Sequence, residues 1–130
     1  MKEELMKHGA FGWFELMTTD MAAAEKFYSE LFGWKTEDSG MEGVKYTVIK
    51  VNDEPVAGIM AIPAEAAGMP PSWGIYITVD DVDATAARVT ELGGKILRPP
   101  MDIPTVGRFC VLSDPQGAVI CAIEYLPQAG

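Results

Sequence analysis

Apolar and polar positions change period along this chain, and the changes come twice in the same order. From Ala10 to Met17 the two kinds alternate, with Phe14 and Leu16 on one side and Trp13, Glu15 and Met17 on the other. That period of two predicts a half-buried strand. From Met21 to Phe32 the period becomes helical: Ala24, Phe27, Tyr28 and Leu31 fall at i, i+3, i+4 and i+7 and predict one buried stripe. The alanine-rich body favours helix, Asp20 supplies a carboxylate for the first-turn amides, and Gly33 supplies a left-handed stop. Alternation returns over Val44 to Val51 and Val56 to Ile62, divided by the turn residues Asn52-Asp53-Glu54-Pro55, which predicts a hairpin.

Residues 63–72 are small and proline-rich, as a linker would be. The order then repeats. Ile75 to Val79 reads as a strand, and Asp81 caps a helix with the stripe Val82, Thr85, Val89 and Leu92, which Gly93-Gly94 ends. Lys95 to Leu97 is a short strand before Pro99-Pro100. Phe109 to Leu112 and Ala118 to Tyr125 form a hairpin around Asp114-Pro115-Gln116-Gly117. A shift of 61 positions lays Asp20 on Asp81, Ala23 on Ala84, Glu30 on Glu91, Leu31 on Leu92 and Gly33 on Gly94, five identities in fourteen ungapped positions. Average composition gives roughly one by chance. The chain is therefore read as one domain over 1–130, built from an internal repeat, 10–62 and 73–125, joined by the linker 63–72. The expected class is α+β, each copy β-α-β-β-β, with a mixed sheet and its helices on the outer face.

Composition narrows the partners. Ten basic against nineteen acidic residues give a net charge of −9, and no basic patch marks a nucleic-acid or anionic-membrane surface. No apolar run is long enough to cross a bilayer, and the first ten residues lack the apolar core of a secretory signal, so the expectation is a cytoplasmic protein. The single histidine, His8, sits in a polar start read as a loose tail.

Strand parity sorts the candidate chemistry. Phe14, Leu16, Ile75, Ile77, Val79, Phe109 and Val111 are assigned to the helix side. Trp13, Glu15, Met17, Gly74, Tyr76, Thr78, Arg108 and Cys110 are assigned to the opposite face, as the lining of a ligand cavity. There Glu15 is a candidate general base. Its structural alternative is an ion pair with Arg108, which is otherwise free to hold an anionic ligand group. Trp13 and Tyr76 suit stacking on a flat ligand or plain filling, while Met17 and Met60 suit filling. Counted symmetrically about the Asp-Pro-Gln-Gly turn, Cys110 opposes Cys121, two thiols side by side and most simply reduced and inert. No nucleophile-base-acid triad and no glycine-rich phosphate cradle is present.

The stretches "LMTTD…AEKFYSELFGW", "VDDVDATAARVTELGG" and "RFCVLSDPQGAVICAIEY" resemble the vicinal oxygen chelate superfamily of glyoxalase I, bleomycin-resistance proteins and extradiol dioxygenases, over about Phe11 to Tyr125. The resemblance implies a curved mixed sheet around a cup-shaped cavity, and a homodimer. In metal-dependent members four strand residues hold the ion, and the matching positions here are Trp13, Met60, Gly74 and Cys121. Hard and borderline cations want imidazole and carboxylate, so neither metal nor other cofactor is expected, and dioxygenase activity is not expected. The reading is a protein that binds a small planar or aromatic ligand through Trp13, Glu15, Met60, Tyr76, Arg108 and Cys121. The alternative is a metal-independent lyase or isomerase with Glu15 as catalytic base. A scaffold with a vestigial cup is the third possibility.

Overall fold

The computed structural model describes residues 3–41, 43 and 45–127. Eight strands and two α-helices are present among them: β1 (Phe11–Thr18), α1 (Met21–Phe32), β2 (Lys35–Asp38), β3 (Thr47–Val51), β4 (Glu54–Ala61), β5 (Ser72–Thr78), α2 (Val82–Glu91), β6 (Lys95–Ile103), β7 (Gly107–Ser113) and β8 (Val119–Tyr125). The class is α+β. The chain divides into two compact units, Trp13–Gly74 and the remainder from Ile75 together with the N-terminal segment up to Gly12.

In the first unit the strand order is β2-β3-β4-β1, with β1 and β4 parallel and the other pairs antiparallel. Asp20 caps α1 as its side chain predicts, accepting from the Ala23 amide at 3.0 Å, and Gly33 ends the helix at φ 75°. Leu16, Met21, Ile49, Ala57 and Ile59 form the core under α1, with Ala24, Tyr28, Trp34 and Val56 packed against them. The expected stripe is only half right. Ala24 and Tyr28 face the sheet, but Phe27 and Leu31 are each 58% exposed. Tyr28 instead anchors an aromatic cluster with Phe27, Phe32, Trp34 and Trp73, and its hydroxyl accepts from the Trp73 indole at 3.2 Å. The strand expected from Val44 begins at Thr47; Val44 itself lies outside the described residues. Strand β2, which the β-α-β-β-β repeat requires but the apolar pattern does not locate, is an edge strand of exposed residues.

In the second unit the order is β5-β8-β7-β6, again with one parallel pair, β5 with β8. Asp81 caps α2 through the Ala84 amide at 3.0 Å, repeating the device of α1. Val79, Val82, Ala86, Cys110 and Ala122 make the core. The α2 stripe holds at Val82 and Val89 but uses Ala86 rather than Thr85, and Leu92 is exposed. Strand β6 continues through Pro99 and Pro100 to Ile103, where Leu97 was the expected end. It is the edge of the sheet and its register slips between Ile96 and Arg98 and again between Arg98 and Met101, the places where a residue without an amide hydrogen is tolerated. The N-terminal segment is not a loose tail. Glu3–Met6 is a 3-10 turn, the Leu5 carbonyl accepts from Thr78 Oγ1 at 2.6 Å, and His8 Nδ1 accepts from the Asp80 amide at 3.0 Å. Among the described residues, no helix is long and apolar enough to cross a membrane.

Candidate functional site

The β7–β8 register decides which residues share a face. Ser113 pairs with Val119 and the Asp114 amide bonds to the Ala118 carbonyl, so the loop is one residue longer than a symmetric count allows. The Asp114 side chain holds it, accepting from the Gln116 and Ala118 amides. A one-residue slip turns every side chain of a strand to the other side. Cys110 therefore pairs with Ala122 and Cys121 with Val111. The thiols do not lie side by side: Cys110 is in the helix-side core, and Cys121 is beside Tyr76 on the opposite face. Neither is in a disulfide, and burial raises the pKa of Cys110, which keeps that thiol protonated and unreactive.

The same slip moves Arg108. It pairs with Glu124, whose Oε1 accepts from the Val82 amide at the start of α2, so both stand on the helix side. Arg108 Nε and Nη2 bond the two Asp83 oxygens at 2.9 and 3.1 Å, and Nη1 bonds Asp102 Oδ1 at 3.1 Å. The assignment of Arg108 to the cavity face, and with it the expected Glu15 ion pair, is thus corrected: Arg108 is a structural ion-pair partner. Those hydrogen bonds raise the guanidinium pKa and hold the Asp83 carboxyl below its usual range. Asp81, Asp83 and Glu124 bring carboxylate oxygens within 4.8 Å of one another. Each is already spent on a first-turn amide of α2 or on Arg108, and the positive end of the helix favours them there. Phe109 and Val111, assigned to the helix side by their hydrophobicity, lie on the opposite face, where Phe109 sits with its ring 6.2 Å from that of Tyr76.

In the first unit the parity holds. Leu16 enters the core under α1, and Glu15 points the other way, 9% exposed. Trp13 and Met17 are on its face, and so is Met60, the register partner of Met17 on β4. Across that face runs a hydrogen-bond chain that the sequence did not reveal. Trp13 Nε1 donates to Tyr46 Oη at 2.8 Å, and Tyr46 Oη donates to Glu15 Oε2 at 2.8 Å. An indole can only donate and a carboxylate accepts, so the phenol's one proton is directed at Glu15. Gly58, the register partner of Glu15, leaves the space for this ring: a Cβ there would overlap the Tyr46 phenol. Gly58 inside an alternating strand was the available signal, because a glycine there marks close approach of another group. Nothing in the sequence said which group, since Tyr46 is 31 positions from Glu15.

Residues 10–122 match the profile of the Glyoxalase/Bleomycin resistance protein/Dioxygenase superfamily. "Putative glyoxylase CFP32" of Mycobacterium bovis is 42% identical over 122 residues, covering 92% of this chain and 47% of the relative. "Anthracycline biosynthesis protein DauV" of Streptomyces sp. is 39% identical over 116 residues, covering 89% of this chain and 42% of the relative. The chain thus spans about half the length of these curated relatives. Among solved structures, methylmalonyl-CoA epimerase from Mycobacterium tuberculosis aligns with a TM-score of 0.61 at 17% identity, over 88% of this chain and 87% of that one, a likeness of fold alone. With the profile spanning nearly the whole chain and both repeated units in place, this protein belongs to the Glyoxalase/Bleomycin resistance protein/Dioxygenase superfamily.

Proposed function

We propose that this chain binds a small planar or aromatic ligand on the sheet face of the Trp13–Gly74 unit, through Trp13, Glu15 and Met60, without a metal ion. The observation that carries the reading is the buried carboxylate of Glu15, held by Tyr46 on the side away from α1. A carboxylate taken out of water costs free energy unless hydrogen bonds offset it, and such a group in a sheet face away from the helix is a functional-site candidate. Beside it Trp13 and Met60 offer flat and adaptable apolar surface. At the four positions where relatives of this superfamily hold metal, the side chains are Trp13, Met60, Gly74 and Cys121, a poor set for a hard cation. Tyr76 and Cys121 are kept as ligand contacts of the other unit's own face; Arg108 leaves the set. A relative carries anthracycline biosynthesis in its name, and anthracyclines are flat polycyclic aromatics, the shape class proposed here.

Titration with one- to three-ring aromatics, followed by calorimetry and native mass spectrometry, tests this. Saturable one-to-one binding, unchanged by a chelator and without product, is the expected result; absence of binding across the set overturns it. A second reading is favoured by the fixed orientation of Glu15: a metal-independent lyase or isomerase in which it acts as general base. Formation of product by the native chain, lost in Glu15→Gln, decides for that reading.

The chain is also inferred to form a homodimer. Phe27, Leu31 and Phe32 place exposed apolar surface on one helix, which a second copy could cover, and twofold dimers are the commonest closed assembly. Sedimentation at micromolar concentration is expected to give twice the chain mass of 14.1 kDa. A single monomeric species across the concentration series refutes it.

A further inference from the structure

We infer that the cavity where β5 and β8 leave the sheet is a binding site for small primary ammonium ligands, held by the charges of Asp80 and Glu124 against the ring of Tyr125. The site draws on residues of the second unit alone and is independent of the ligand face proposed for the first. Its origin lies in the strand pairing. A parallel pair has no hairpin to close its end, so its two chains must part. Here the Val79 amide still bonds the Ile123 carbonyl. Beyond that bond Asp80 turns toward α2, while the other chain continues to Leu126, whose amide bonds the Val106 carbonyl. A cavity of about 270 Å³ opens at this end of the pair. Met6 lines one side, because the 3-10 turn that carries it is tied down by the bond from Thr78 Oγ1 to the Leu5 carbonyl. Gly12 makes that bond possible: a Cβ there would fall 2.6 Å from Thr78 Oγ1.

The lining selects the ligand. Asp80 and Glu124 line the cavity, and among the described residues no lysine or arginine does. Glu124 Oε1 accepts from the Val82 amide at 2.9 Å, which fixes the carboxylate in place but leaves its charge. The Asp80 amide donates to His8 Nδ1 at 3.0 Å, so that nitrogen carries no hydrogen and the imidazole is not a cation beside Asp80. An anion is repelled and a cation drawn in, and the net charge of −9 acts in the same direction. The rest of the lining suits a cation with a carbon body. Burial pushes the pKa of the Tyr125 hydroxyl up to about 12, so it stays a neutral phenol whose ring can face an ammonium. Met6 and Pro127 offer apolar surface to an alkyl chain. A primary ammonium brings three donors to two carboxylates and a phenol oxygen, whereas a bare metal ion would leave the apolar side unused. The Asp80 side chain is 85% exposed, so its contribution is modest. The dissociation constant is expected on the order of 1 mM.

Two-dimensional amide NMR of the full chain tests this, with n-butylammonium, n-butanol and butyrate as probes of one length and three charges. n-Butylammonium is expected to shift the amides of Asp80, Val82, Glu124 and Tyr125 saturably, while n-butanol and butyrate at the same concentration do not. Asp80→Asn and Glu124→Gln are each expected to weaken the affinity about threefold or more, since each removes one charge and keeps the side-chain shape. Glutamine at 124 can still accept from the Val82 amide, and the unfolding midpoint establishes that the variant is folded; if it is not, Asp80→Asn alone decides. Asp53→Asn removes the same charge from the β3–β4 turn, where φ is 65° and asparagine is tolerated, and is expected to leave the affinity unchanged. No saturation at concentrations well above the expected dissociation constant overturns the site. So do shifts spread over the acidic surface with an equal loss in Asp53→Asn, which mark general attraction to an acidic chain. Equal shifts from n-butanol, or unchanged affinity in both site variants, overturn recognition by charge. Magnesium ion that displaces n-butylammonium from these four amides at a lower concentration overturns the ammonium class.

Discussion

Replacing Glu15 by glutamine is expected to leave the fold nearly intact and to remove most of the ligand affinity, or all turnover if the chain proves to be an enzyme. Glutamine keeps the shape of the side chain and can still accept from the Tyr46 hydroxyl through its amide oxygen. It loses the charge and half of the acceptor capacity, so a ligand donor is bound by a weaker bond or meets an amide hydrogen instead. Hydrogen bonds to charged groups contribute about 1.5–3 kcal/mol, which corresponds to roughly ten- to a hundredfold in affinity. Alanine at the same position tests the structural share. It leaves the Tyr46 hydroxyl without the acceptor it now has at 2.8 Å, and is expected to cost about 1–3 kcal/mol in denaturant unfolding. Glutamine should cost far less than alanine in stability and as much in binding. Equal affinity in the native chain and in Glu15→Gln would remove Glu15 from the site.

The largest loss of stability is expected from Ile59→Ala. Ile59 is 0% exposed and pairs in register with Leu16 on β1 and Thr47 on β3, at the centre of the core under α1. Truncation removes three carbon atoms from a packed site bounded by two strands and a helix, which can close only partly around the gap. Such replacements typically cost about 2–5 kcal/mol. The consequence for function is direct, because Ile59 stands between Gly58 and Met60 on β4 and fixes the strand from beneath. The denaturant midpoint is expected to fall with an unchanged slope, and a conservative Ile59→Val to lose only about 0.5–1.5 kcal/mol. A loss below about 1 kcal/mol for Ile59→Ala would mean that β4 is not packed as described.

Much of both units was legible where the signals are local. The caps at Asp20 and Asp81 each depend on a carboxylate three residues from the amide it meets. The parity of β1 was right because Phe14 and Leu16 flank a charged residue, and a carboxylate rarely points into a helix-covered core. Local pattern failed on β7 for the opposite reason. Arg108, Phe109, Cys110 and Val111 alternate polar and apolar as a half-buried strand should, but in this sheet both faces carry apolar side chains. The bulky pair, Phe109 and Val111, turned away from α2, and the small Cys110 entered the crowded core beneath it. Hydrophobicity does not distinguish two apolar faces.

By itself the sequence determined the repeated order of strands and helices, both helix caps and the side of β1 on which Glu15 stands. These follow from neighbours within a few positions, where backbone geometry ties sequence spacing to direction. Tertiary structure decided the rest. One extra residue in the Asp114–Ala118 loop set the β7–β8 register, separated the two cysteines and sent Arg108 to Asp83 and Asp102. Folding β3 beside β4 brought Tyr46 over Gly58 and onto Glu15. Pairings of this kind join positions tens of residues apart, and they are chosen by how side chains fill a shared space, which no local period records.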